Sequence, residues 1–158
     1  MKRTLKIFLI AAAAAIALSA SALAAGYGLG VFGNVRTMDS NTFRDVDSLA
    51  WYFGGVCHAY DKGLMTGTGP KTFSPKSTVT WSQAITIAAV IHSRYNGVTL
   101  DTTVPAGGTW YSPYYNYAKS AGLLPSNCPS GAAVNTTYIN RESIAYLLSR
   151  TIDKSELP

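Results

Sequence analysis

The chain has 158 residues, of which 47% are hydrophobic and 13% charged, enough for one domain and too weakly charged for a disordered one. Its formal charge is +5, from 13 Lys and Arg against 8 Asp and Glu. Lys2, Arg3 and Lys6 supply three of those cations, and the +2 that remains is no electrostatic footprint for a nucleic acid.

Residues 1–24 read as an export signal. The basic Lys2-Arg3-Thr4-Leu5-Lys6 is followed by the apolar run Ile7 to Leu18, then by a small-residue exit whose Ala22-Leu23-Ala24 suits cleavage after Ala24. The apolar run is short for a hydrocarbon layer about 30 Å thick, so the expected product is secreted and leaves the membrane. Outside the cytoplasm Cys57 and Cys128 can form a disulfide; the alternative is a buried Cys57 on a helix and an unrelated loop Cys128. Neither has CxxC spacing, and no metal or other cofactor is expected.

Beyond a linker at 25–42, the chain repeats itself. Trp51-Tyr52 recurs as Trp110-Tyr111 at an offset of 59 residues, and the same offset carries Ala59 onto Ala118 and Gly63-Leu64 onto Gly122-Leu123. The expected division is a first unit at 43–97, a connector at 98–108, a second unit at 109–152 and a tail at 153–158. Each unit reads as helix, loop, helix, which makes the protein mainly α-helical. In the first, Leu49, Tyr52, Phe53, Val56 and Tyr60 fall at helical spacing, with Asp47 or Ser48 as cap and Gly63 as terminator. A turn-rich loop, Thr66-Gly67-Thr68-Gly69-Pro70, leads to Phe73-Ser74-Pro75. Thr80-Trp81-Ser82-Gln83 then has the form of a capping box, opening a helix with Ala84, Ile87, Ala88 and Ile91 inward that ends near Tyr95-Asn96-Gly97. In the second unit Thr109 or Ser112 caps a helix through Ala121, and Asn140 caps another through Arg150 with Ile144, Leu147 and Leu148 inward. Neither unit has enough apolar surface to stand alone.

In order, Phe43-Arg44-Asp45-Val46, Trp51-Tyr52, Gly63-Leu64-Met65-Thr66-Gly67, Phe73-Ser74-Pro75 and Thr80-Trp81 resemble an S-layer homology repeat. Such repeats open with Phe-x-Asp-Val, pass through a Gly-(Ile/Leu)-(Met/Val)-x-Gly turn and Phe-x-Pro, and start a helix with Thr-Arg-Ala-Glu. The second unit, with Trp110-Tyr111, Gly122-Leu123 and Ile139-Asn140-Arg141-Glu142, is similar but degenerate. The resemblance implies a small helical bundle, an incomplete version of the family's pseudo-threefold prism of three repeats. It also implies non-covalent anchoring to secondary cell-wall polysaccharide, an acidic and in some cases pyruvylated glycan, at a bacterial cell surface. The family arginine is matched only by Arg141; Trp81 and Gln83 stand where the first repeat would have arginine and glutamate.

On this resemblance the candidate glycan-binding residues are Arg141, Trp81, Gly67 and Gly69. A guanidinium at a helix start suits a carboxylate; the other reading of Arg141 is a solvated first-turn residue. Trp81 either stacks on a sugar or packs between the units, the favoured reading. Trp51 and Trp110 are expected in the core, and the cluster Tyr111, Tyr114, Tyr115 and Tyr117 either forms a contact surface or seals the core. Neighbouring helical residues point about 100° apart, so Cys57 and His58 make no dyad; paired carboxylates, HExxH and GxSxG are missing. The expectation is a non-catalytic envelope module, the alternative an assembly subunit that completes a prism with a second copy or an S-layer homology partner.

Overall fold

The computed structural model describes residues 28–156; the expected leader and its cleavage site lie outside the described residues. The fold is mainly helical, with five α-helices and no β-strand among the described residues. They are α1 (Phe53–Asp61), α2 (Trp81–Tyr95), α3 (Ser112–Ser120), the short α4 (Ala133–Thr136) and α5 (Arg141–Ser149).

The helix starts differ in kind. At α2 the capping box forms, with the Thr80 hydroxyl accepting from the Gln83 amide and Gln83 Oε1 accepting from the Thr80 amide at 2.9 Å. At α5 the Asn140 side chain accepts from the Ser143 amide at 2.8 Å. By contrast α1 starts later than its apolar spacing suggests. Asp47 does not cap it: Asp47 Oδ1 accepts from the Leu49 amide at 2.9 Å, closing a turn of its own before the helix begins at Phe53. Gly54 and Gly55 in the first helical turn weaken it further. Thr109 likewise folds onto Ser112, its amide donating to the Ser112 hydroxyl at 2.9 Å, and neither side chain caps α3.

The helix ends of α1 and α3 coincide in detail. After α1, Gly63 takes φ 68, its amide donating to the Tyr60 carbonyl at 2.9 Å and that of Leu64 to the Ala59 carbonyl at 2.9 Å. After α3, Gly122 takes φ 68, its amide donating to the Lys119 carbonyl at 3.2 Å and that of Leu123 to the Ala118 carbonyl at 2.9 Å. Both are Schellman closures, where only glycine takes the left-handed conformation without strain.

The core lies across the two halves of the chain. Ile85, Ala88 and Ala118 have no exposed surface, and Leu123, Val134 and Leu147 are 1% exposed. With Trp81, Ala84 and Tyr111 they form one cluster around α2, whose main contact is α3 and which also touches α4 and α5. The alanines let α3 come close, and the large side chains fill from both ends. The two helix starts are tied by an antiparallel bridge, in which the Trp81 amide donates to the Thr137 carbonyl at 3.2 Å and that of Ile139 to the Val79 carbonyl at 3.0 Å.

Residues 28–38 are fastened to the ends of α1 and α2. The amides of Val35 and Arg36 donate to the Asp61 carbonyl, Lys62 Nζ to the Phe32 carbonyl at 2.7 Å, and Arg94 to the carbonyls of Lys62 and Val31. Cys57 and Cys128 are both free thiols, so the disulfide alternative is not realised. No helix of the described residues is long and apolar enough to cross a membrane.

Candidate functional site

A groove of about 460 Å³ opens between the first unit and the start of α3. The loop at Gly67 and Thr68, the stretch Phe73–Pro75 and residues Ser77–Val79 form its walls. Gln83, Thr86 and Ile87 of α2 form its floor, and Trp110 closes it from the second unit.

The walls are shaped by the Phe-x-Asp-Val segment. Phe43 is 5% exposed and meets Tyr60 and Phe73 edge-on, with ring centroids 5.2 and 5.3 Å apart. Asp45 reaches across, Oδ1 accepting from the Phe73 amide at 2.8 Å and Oδ2 from the Ser74 amide at 2.7 Å. Those bonds, the Phe73 amide first, hold its carboxyl below the usual range although it is exposed to solvent. The carboxylate thus clamps Ser74, which sits at φ 63, and the Ser74 hydroxyl pairs with that of Thr68 at 2.7 Å. Gly67 takes φ 84, and a Cβ there would stand 2.5 Å from the Thr72 carbonyl oxygen and 2.8 Å from the Phe43 ring. Only glycine lets the loop lie over Phe43 this closely.

Of the residues singled out from the sequence, Gly67 is on the groove, while Gly69 pairs with Thr72 in an isolated bridge behind it. Trp81 is in the core, 5% exposed, where its ring packs between the two units and offers no face to a sugar. Arg141 is exposed at the first position of α5 and is not part of the groove. These four do not come together. The expectation that Trp51 and Trp110 are core residues is overturned: they are 95% and 49% exposed, each edge-on to the next tyrosine with centroids 5.6 Å apart. Adjacent residues near a helix start point in different directions, so burying Tyr111 at 8% exposure turns Trp110 outward. That adjacency was the available signal for Trp110. For Asp45 the signal was an acid two residues beyond a buried phenylalanine.

The tyrosine cluster mostly seals the interior. The Tyr111 hydroxyl donates to the Gly131 carbonyl at 3.1 Å, Tyr115 packs on the core, and the Tyr117 hydroxyl meets His92 Nδ1 at 2.9 Å. Among the described residues no group of three or more His, Cys, Asp or Glu could hold a metal ion.

Residues 42–85 match the S-layer homology domain. The match runs from the Phe-x-Asp-Val segment through α1 and the groove loop into α2. S-layer homology domains are non-catalytic modules that associate with bacterial cell surfaces by binding cell-wall polymers. No curated protein and no solved structure matches the chain.

Proposed function

We propose that the chain is exported and anchors non-covalently to wall polysaccharide at the bacterial surface, through the groove between its two units. The observation carrying this reading is the meeting of the Gly67 loop with Trp110: the S-layer homology segment supplies the walls, and the second unit brings the indole that closes them. Gly67 shapes the wall, and Gly69 holds the turn behind it. Arg141 is exposed at the start of α5, apart from the groove, and this reading gives it no part in holding the wall. The test is co-sedimentation of the full chain with purified sacculi. Retention in the pellet is expected; a folded protein that stays in the supernatant overturns the reading.

One observation favours the assembly alternative. Trp51 and Leu49, before α1, are 95% and 92% exposed, whereas Trp110, before α3, lies against a neighbouring unit. A further S-layer homology unit, from a second copy or another chain, would cover the first pair as the first unit covers Trp110. Light scattering at rising concentration distinguishes the two, since a constant monomer mass argues against self-assembly.

A further inference from the structure

We infer that the groove selects uncharged sugar residues and not the acidic part of a wall polymer. The inference rests on the anchoring reading above and names its ligand class.

None of the side chains lining the groove is ionisable. Lys71 and Lys76 lie on the same loops, exposed, and neither joins the lining. A carboxylate or phosphate placed here would lose water and gain no cation in return, which is a net cost. The surface instead has the two-sided character of a neutral sugar. Trp110 offers an indole face to the C–H side of a pyranose, beside Ile87 and Val79. The exposed hydroxyls of Thr66, Ser77 and Thr78 ring the opening, and Gln83, its oxygen engaged by the Thr80 amide, keeps its side-chain NH₂ as donor. A volume of about 460 Å³ falls within the range of roughly 300–1,000 Å³ that small-ligand sites occupy. The capping sequence is part of the cause: Trp81 takes the second position of the box and turns into the core, so no cation projects from the start of α2.

The experiment is sedimentation with intact sacculi and with sacculi stripped of their acidic substituents, from about 50 mM to about 500 mM salt. Binding is expected to change less than about twofold with salt or stripping, because screening acts on charge pairs and not on stacking. Trp110→Ala should weaken it about tenfold or more, since a buried indole dominates such contacts, while Arg141→Ala leaves it intact. Thr78→Lys adds a cation at the rim without touching a buried group, and binding should not rise. Binding that salt or stripping abolishes, that Thr78→Lys strengthens, or that ignores Trp110→Ala in a folded variant overturns the neutral-sugar inference while anchoring stands. Failure of the unsubstituted folded chain to sediment at all sinks the anchoring reading, and this inference with it.

Discussion

Helices α1 and α3 have the same length and the same closing glycine, yet they live in different surroundings. The residue before α1 has φ −86 and ψ −7, and that before α3 has φ −90 and ψ −8. On α3, Ala118 is fully buried against α2; its counterpart on α1, Ala59, is only half-buried. Tyr117 of α3 meets His92, whereas the matching position of α1 is His58, which is exposed. Local sequence therefore sets the helix and its ends, but packing depends on the unit next door. The first helix of the second unit docks on the second helix of the first, and α1 has no such neighbour among the described residues. The groove is a product of the same arrangement, because only at this seam does a tryptophan meet the glycine loop of another unit.

The sharpest way to break that comparison is to truncate one buried side chain on each side. Ile85, fully buried on α2 at the seam, should cost about 3–4 kcal/mol as Ile85→Ala, from lost transfer energy plus the cavity left behind. Val56, at 6% the one buried residue of α1, should cost about 1.5 kcal/mol as Val56→Ala. Urea unfolding of both variants checks the pair. Equal losses would mean that α1 is held as firmly as α3, and the contrast would fall.

The two closing glycines test a subtler difference. Gly122 has open space around it, so Gly122→Ala should cost about 1 kcal/mol, the strain of a left-handed alanine. Gly63 has the same φ of 68, but a Cβ there would stand 2.8 Å from Val35 Cγ2 and 3.2 Å from Arg36 Nη2. Gly63→Ala should cost about 2–3 kcal/mol, because strain adds to a clash with residues 28–38 as they cross the end of α1. Thermal melts of the two variants measure the gap. Identical melting temperatures would mean that this segment yields freely, and that the end of α1 is no better packed than the end of α3.

Much of this was legible in the residues, and what was not has a common cause. Thr80, Gln83, Gly63, Gly122 and Asn140 announced themselves because capping and positive φ are satisfied within a few residues of chain. The core places of Leu147 and Ala88 followed from helical spacing. The spacing misled at Leu49, where the Asp47 turn holds the chain out of the helix, and at Leu148, which is 42% exposed on a face of α5 that nothing described covers. It misled again at Trp51 and Trp110, where hydrophobicity suggested the interior; beside Trp110 it is Tyr111 that is buried, and beside Trp51 Tyr52 is half-buried. Short α4, four residues without a side-chain cap, gave no periodic signal and is held by Val134 in the core. The groove escaped because it needs residues from both units. No local pattern tells Trp110 that it will face Gly67.

The smallest expected effect lies at the seam itself and carries a sign. His92 of α2 is half-buried against α3, and burial pushes its imidazole pKa below the ordinary value because the charged ring loses solvent. The folded chain thus takes up the proton less readily than the unfolded one. His92 contributes its full stability above the unfolded value of about 6.5, and that contribution is lost as the pH falls from there through the lowered folded value. The Tyr117 hydroxyl can pair with Nδ1 in either state, donating to the neutral ring or accepting from the protonated one, so the slope is set by burial. Asp39, Asp45, Asp101 and Asp153 are held below the usual carboxylate range by hydrogen bonds, so their own losses begin at lower pH. Melting temperature should therefore fall gently between about pH 7 and about pH 5.5. His92→Gln should flatten that slope. A slope unchanged by His92→Gln would show that the meeting of α2 and α3 contributes nothing to it.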